Sequence, residues 1–243
     1  MERGLYIAAS GMLAELVRQD QIANDLSNAS TPGYKADRSA QQSFGDMLLA
    51  NRKSGETIGT LGLGTQISQI RTDLTQAPLR QTDEPLDLAL QGDGFFAVQT
   101  PQGVRYTRDG QFSLDANGQL VNQSGYTVLD DKNQPIKLGA TDGVTIGTDG
   151  GITLNGRAIA RLSVVSLTNP QKQGDTLFSG QPGARPADTG VRQGYLEGAG
   201  VDAARAMVDM MVSMRAYEAG QRVIHAIDET LQKGISSGGF GNG

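Results

Sequence analysis

The chain has 243 residues, a formal net charge of −5 at pH 7 and no cysteine. Disulfides, thiol nucleophiles and thiolate metal sites are therefore excluded, and the lack of any basic block argues against nucleic acid as a partner. Glycine contributes 33 residues, about twice its usual share of roughly 7%. It follows no collagen period and forms no long Gly/Ser run, so the composition predicts many turns. Tryptophan is absent and aromatics are few, which argues against a large aromatic ligand pocket. No run approaches the roughly 18 apolar residues of a membrane span, so no membrane insertion is expected. Gly4 to Ala14 has the look of a secretory apolar region, but its stripe continues in phase to Leu26. It reads as mature structure, since a cleavable segment has no reason to keep register with the residues beyond it.

The first predicted element is a helix from about Glu2 to Leu26. Leu5, Ala9, Met12, Leu16, Gln19, Ala23 and Leu26 are spaced alternately by four and three, which places them on one stripe with the seam geometry of a coiled coil. Pro32 and Gly33 then suit a type II turn over Thr31 to Tyr34. Phe44 to Asn51 is compatible with a short helical turn, Ser54 to Gly64 with an extended arm or loop, and Thr65 to Leu74 with a short strand. From Leu86 to about Leu167 the pattern is all β. Phe96 and Val98 share a face, as do Val104 and Tyr106, and Phe112 and Leu114. Asn155-Gly156 supplies the positive φ pair of a type I′ hairpin between Ile152 and Ala160. A Gly/Pro-rich stretch, Asn169 to Gly190, returns the chain to Tyr195.

The last element is a helix from near Asp202 to near Lys233, followed by a loose tail from Gly234. Met210, Met214, Tyr217, Gln221, Ile224, Asp228 and Leu231 repeat the rhythm of the first helix, and Met207 and Met211 join them in a methionine cluster. Methionine suits surfaces that pack differently against several neighbours. Neither helix has a helical neighbour in sequence, so each must find its partner at the other terminus or in another molecule. That is the layout of a subunit built to polymerise.

Chemical motifs give no catalytic or cofactor site. Asp115 to Gly118 lacks the glutamate and flanking helices of a calcium loop, so a hairpin turn is the better reading. His225 lies alone within a helix, with no adjacent nucleophile and acid. Asp83, Glu84 and Asp87 would make a glycosidase pair only across a sugar-sized cleft. The reading is of a non-enzyme with no catalytic residue, no metal and no cofactor.

Several segments resemble one known family, the bacterial flagellar axial proteins of the rod and hook. Leu5-Tyr6-Ile7-Ala8-Ala9-Ser10-Gly11-Met12, Ile22-Ala23-Asn24-Asp25-Leu26-Ser27-Asn28, Thr31 and Gly33-Tyr34-Lys35 look like the basal-body rod signature. Pro85 to Phe96, followed by Tyr106-Thr107-Arg108-Asp109-Gly110 and Phe112, resembles the start of the family's β domain. Gln193-Gly194-Tyr195-Leu196-Glu197, Val201-Asp202, Met207 to Met210, Arg215-Ala216-Tyr217-Glu218 and Asp228 to Leu231 resemble its C-terminal part. The family commonly has Ser-Asn where this chain has Ala199-Gly200, and a second Asn where it has Asp25.

The resemblance implies an α+β fold. The N- and C-terminal α-helices would form a coiled-coil-like terminal domain, with an antiparallel all-β domain inserted between them. The expected division is an N-terminal helix over 1–35, a linker or arm over 36–84, the β domain with its return segment over 85–200, and the C-terminal helix and tail over 201–243. The implied function is a structural subunit of the basal-body rod, the flagellar drive shaft. It would polymerise helically and carry torque to the hook. The length matches the distal-rod or proximal-rod type, and Leu61-Gly62-Leu63-Gly64-Thr65 looks more like the distal type, whereas Ala29 to Gly33 is closer to the proximal type.

The implied partners are other copies of the chain, other rod proteins and the hook, the flagellar type III export apparatus and the surrounding basal-body rings. The implied location is the flagellar basal body, reached by export without a cleaved signal. The helical stripes are expected to form the subunit interface, through Leu5, Ala9, Met12, Leu16, Ala23, Leu26, Met207, Met210, Met211, Met214, Tyr217, Ile224 and Leu231. Ile58, Leu61 and Leu63 are expected to anchor an arm against an axially adjacent subunit. The rivals are a secreted carbohydrate-active β-rich enzyme, which predicts a concave carboxylate cluster or a metal site, and a phage-tail or needle subunit.

Overall fold

A computed structural model of the chain describes residues 2–43, 46–50, 57–62, 65–141, 143–174 and 176–238. The chain divides into two compact units. One comprises Met1–Ser27, Asp37–Arg71 and Ala203–Gly243, and the other Asn28–Ala36 and Thr72–Asp202. The order is helix, many short strands, helix, an α+β arrangement.

The first unit is built on α1 (Glu2–Ser27) and α2 (Ala203–Gly238). Neither contains a proline, and the first proline after α1, Pro32, comes only after the helix has closed. The two helices pack against each other and run antiparallel. Glu15 meets Ser213, Met12 lies at Gly220, and Gly4 lies at Ile227. α2 continues through Gly234 to Gly238, past the tail expected to start at Gly234. Helix propensity is a weak prior that existing helical hydrogen bonding can override. Residues 239–243 lie outside the described residues.

The same unit contains strand Asp37–Ser43 paired with Thr65–Thr72, and a hairpin of Asp46–Ala50 with Thr57–Gly62. The segment expected to make a helical turn, Phe44 to Asn51, is instead a strand over Asp46–Ala50. Within the stretch expected as an extended arm or loop, Thr57–Gly62 is extended and pairs with it antiparallel from Asp46↔Gly62 to Ala50↔Thr57. A short apolar run such as Met47-Leu48-Leu49 fits either helix or strand, and only the partner decides. Ile58 and Leu61 fall in the second of these strands, while Leu63 lies outside the described residues, as do Phe44 and Asn51.

The second unit is antiparallel β throughout its described ladders. At its centre is Phe95–Thr100, which pairs with Gly103–Thr107, Thr127–Val128 and Val164–Val165. Phe96 and Val98 do share a face, in a core with Leu88, Leu90, Phe112, Leu120 and Ile152. The opposite face is buried as well, where Phe95 and Ala97 meet Tyr106, Leu129 and Phe178. The strand is therefore covered on both sides rather than one. Phe96 packs edge-on to Phe112, and Phe95 is tilted against Phe178, each with ring centroids 5.3 Å apart; such aromatic pairs contribute about 0.5–1.5 kcal/mol beyond their burial.

The predicted hairpin joins Gly151–Leu154 to Arg157–Arg161, with φ of 50° at Asn155 and 80° at Gly156, as a type I′ turn requires. The return stretch is not merely a connection. Leu167–Lys172 and Leu177–Pro182 pair as a further hairpin at one edge of the largest sheet. Among the described residues no helix is long and apolar enough to cross a membrane.

Candidate functional site

Two places carry the functional argument, the helical surface of the first unit and a buried ion cluster in the second. On α2 the side facing α1 is formed by Ala206, Met210, Ser213, Tyr217, Gly220, Ile224, Ile227 and Leu231, all buried or half-buried. Their spacing alternates between four and three. Four of the seven residues of the sequence-derived stripe lie here (Met210, Tyr217, Ile224 and Leu231), but Met214, Gln221 and Asp228 are exposed. The structure replaces them with Ser213, Gly220 and Ile227. Ser213 and Gly220 are small enough to let the helices approach, and Ile227 supplies an apolar contact at Gly4. The Ser213 hydroxyl donates to the Glu15 carboxylate at 2.6 Å, and a Cβ added to Gly220 would lie 2.6 Å from Met12 Cγ.

On α1, Ala9, Met12 and Leu26 are half-buried, whereas Leu5, Leu16 and Ala23 are exposed. Its outer side also presents Tyr6, Leu13 and Val17, with Leu13 65% exposed. α2 presents Met207, Val208, Met211, Val212 and Met214, each about half exposed. Each helix thus has one apolar side turned to its partner and a second turned to solvent. A surface helix of a monomer ordinarily carries charged and polar residues on that second side. His225 is exposed on α2.

The second unit holds a buried ion cluster assembled from three distant segments. Glu197, at the end of strand Tyr195–Glu197, receives Lys35 Nζ at 2.6 Å and the Ala77 N–H at 2.9 Å on Oε1, and Arg108 Nη1 at 3.2 Å on Oε2. The Lys35 and Glu197 side chains are fully buried. Lys35 also donates to the Thr75 carbonyl at 2.7 Å, and the Arg108 guanidinium lies over the Phe95 ring. Burial holds the Lys35 ammonium below the ordinary lysine value, and the Glu197 charge opposes that shift.

The backbone closes the same point. The Gly33 N–H donates to the Glu197 carbonyl at 2.9 Å, and the Gly200 N–H to the Tyr34 carbonyl at 2.8 Å. Tyr34 is fully buried beneath the Lys172 ammonium, which sits 4.1 Å from its ring centroid and donates to the Lys35 carbonyl. The predicted turn is in place, since Gly33 has φ of 67° and the Tyr34 N–H reaches the Thr31 carbonyl. Gly33 fits against the Arg108–Asp109 peptide so closely that a Cβ would lie 2.3 Å from Arg108 C. Segment 28–36 therefore belongs to the β unit by its contacts, although the sequence assigns it to the helical part.

Comparison with known proteins matches residues 5–35 to the family described as flagella basal body rod protein. Residues 89–154 match the flagellar hook protein FlgE/F/G D1 domain, and residues 192–237 the flagellar basal body rod FlgEFG protein C-terminal. The chain is 33% identical to the flagellar basal-body rod protein FlgG of Buchnera aphidicola subsp. Schizaphis graminum, over 94% of its own length and 97% of that protein. The chain belongs to the flagellar basal-body rod protein family. FlgG of Bacillus subtilis is 33% identical over 96% of the chain and 98% of its own length, and FlgF of Rhizobium meliloti 31% over 98% of each.

This rod protein is accordingly a structural subunit of the flagellar basal body, and the family assignment favours that reading over the enzyme considered from sequence. Each of the three matched stretches supplies one member of the ion cluster: Lys35 from the first, Arg108 from the second and Glu197 from the third. Sequence reasoning places these residues in motifs without showing that they meet. The three stand far apart along the chain, so no local signal joins them.

Asp109, beside the cluster in sequence, is buried, and its carboxyl is pushed up to about 6. Burial is the main cause, opposed by the Gln111 N–H and reinforced by the Asp87 carboxylate. A folded-state value above the unfolded one favours the fold at low pH, and that contribution is lost as pH rises through about 6. Asp109→Asn keeps an oxygen to accept from Gln111 and removes the buried charge. It is expected to stabilise the protein at pH 8 by about 1–3 kcal/mol. It should also flatten the fall in melting temperature between pH 4 and about 7, followed by circular dichroism. An unchanged pH profile would show that Asp109 does not carry this dependence.

Proposed function

We propose that this rod subunit polymerises helically with copies of itself, as a distal-rod type protein, and transmits motor torque to the hook. The observation that carries the proposal is the second apolar side of α1 and α2, with Leu5, Leu13, Leu16, Met207, Met211 and Met214 turned to solvent. Exposed apolar surface on a second side of a helix marks a contact site, and a repeated head-to-tail contact that does not close builds a helical filament. The alternating spacing of the inner side supports a coiled-coil-like terminal domain. The distal assignment rests on the resemblance of Leu61 to Thr65, and the proximal-rod type is the alternative. In this reading other rod proteins and the hook are axial neighbours, the basal-body rings surround the shaft, and the flagellar type III apparatus exports the chain. Ile58, Leu61 and Leu63 would serve as anchors on an axial neighbour.

The ion cluster has a mechanical part in this reading. Lys35 follows α1 along the chain and Glu197 precedes α2, so the segments that continue from both helices are tied to each other by one buried ion cluster within the β unit.

The inner and outer sides make separable predictions. Leu16→Asp places a charge on the outer side, and Ile224→Asp places one on the inner side. A charge buried dry costs several kcal/mol. Leu16→Asp is expected to keep the helical circular dichroism of the monomer and to lose sedimentable polymer. Ile224→Asp is expected to lose helical signal in the monomer itself. Normal polymer from Leu16→Asp would remove the outer side of α1 from the subunit interface.

A further inference from the structure

With no cysteine in the chain, its oxidisable sulfur is carried by seven methionines. Their settings on the helices differ. Met210 is half-buried on the side of α2 that faces α1, and Met12 is half-buried against Gly220. Met207, Met211 and Met214 are 52, 52 and 50% exposed, and their spacing of four and three places them on one outer face of α2. Three thioethers stand on the very surface that the proposed rod contact would cover, so a chemical change at their sulfur atoms alters that surface directly.

We propose that Met207, Met211 and Met214 form an oxidation site that blocks assembly of the free subunit and is closed off once the subunit is in the polymer. The proposal rests on the self-assembly reading given above. A two-electron oxidant of the peroxide class supplies the reaction. The sulfur lone pair attacks one peroxide oxygen and the O–O bond breaks. An S–O bond forms, and the second oxygen leaves as water with both peroxide protons. The sulfur is oxidised by two electrons and the peroxide reduced by two, giving methionine sulfoxide. A flexible apolar side chain becomes a polar one. At a dry interface the new S–O group lacks a partner, which weakens the contact by about tenfold or more for each buried sulfoxide. The inner side, where Met210 lies, keeps its α1 contacts, so the monomer stays helical.

The test is hydrogen peroxide treatment of the purified full chain, with oxidation at each methionine read by peptide mass spectrometry. Polymer is read by sedimentation, and helicity by circular dichroism. The expected result is faster oxidation at Met207, Met211 and Met214 than at Met210, unchanged helicity, and about tenfold or greater loss of polymer. A Met207→Leu, Met211→Leu, Met214→Leu variant conserves volume without oxidisable sulfur, and it should polymerise equally with and without peroxide. Polymer formed before treatment should resist oxidation at the three positions, a result that depends on no variant. The proposal is overturned if wild type oxidised at all three sites polymerises like untreated protein. Equal peroxide sensitivity of the leucine variant, or equal oxidation of these sites in polymer and monomer, overturns it too. Failure of untreated protein to polymerise would instead count against the self-assembly reading, and this proposal would fall with it.

Discussion

Glu197→Gln is expected to destabilise the β unit by about 3–5 kcal/mol, the loss typical when one partner of a buried ion pair is removed. The carboxylate has contacts with Lys35, Arg108 and the Ala77 N–H. Glutamine keeps one acceptor oxygen but leaves two buried cations without an anion, and turns an N–H₂ group toward one of them. Denaturant unfolding of the full chain, followed by circular dichroism, measures the loss. The pairing itself is isolated by adding Lys35→Met. The double variant should lose less than the sum of the single losses, because removing Lys35 relieves the repulsion that Glu197→Gln creates. Strict additivity would show that Lys35 and Glu197 do not act together.

Gly110→Ala is expected to be comparably severe, at about 3 kcal/mol or more. An added Cβ would lie 1.6 Å from the Leu88 carbonyl oxygen and 2.7 Å from its carbon. Leu88 is a core residue in strand Leu88–Gln91, whose N–H donates to the Gly110 carbonyl. Neither backbone can withdraw without breaking that bond and moving the core. Gly11→Ala is the natural control, since a Cβ there meets nothing within 4 Å. Replacing a helical glycine by alanine should stabilise α1 by up to about 1 kcal/mol. Equal melting temperatures for the Gly110 and Gly11 variants would contradict the close packing of Gly110 on Leu88.

The terminal helices are legible in the sequence because a period near 3.5 survives polar interruptions. Their phase is less legible, because Ser213 and Gly220 form the contact with α1 through smallness rather than hydrophobicity. A count of apolar residues passes over them in favour of Met214. The hairpin at Asn155-Gly156 can be read since its turn chemistry is local. Strand Leu167–Lys172 contains Pro170 and reads as connection. It lies at a sheet edge, where proline costs no inward hydrogen bond, and its register shifts between Thr168 and Gln171. The strands between Asp37 and Thr72 are weakly legible for another reason, since polar runs such as Asp37 to Ser43 gain strand structure from a partner found far along the chain. The ion cluster is the extreme case. Lys35, Arg108 and Glu197 are each ordinary in sequence, and only the tertiary fold makes them one site.

In the proposed polymer the solvent-facing apolar sides of α1 and α2 join one subunit to the next. Electron cryomicroscopy of polymer assembled from the purified full chain tests it most directly. The expected result is a helical polymer in which Leu5, Leu13, Leu16, Met207, Met211 and Met214 are buried between neighbouring subunits, with Ile224 still packed within its own. A polymer joined through other surfaces, with these six side chains left in solvent, would contradict it.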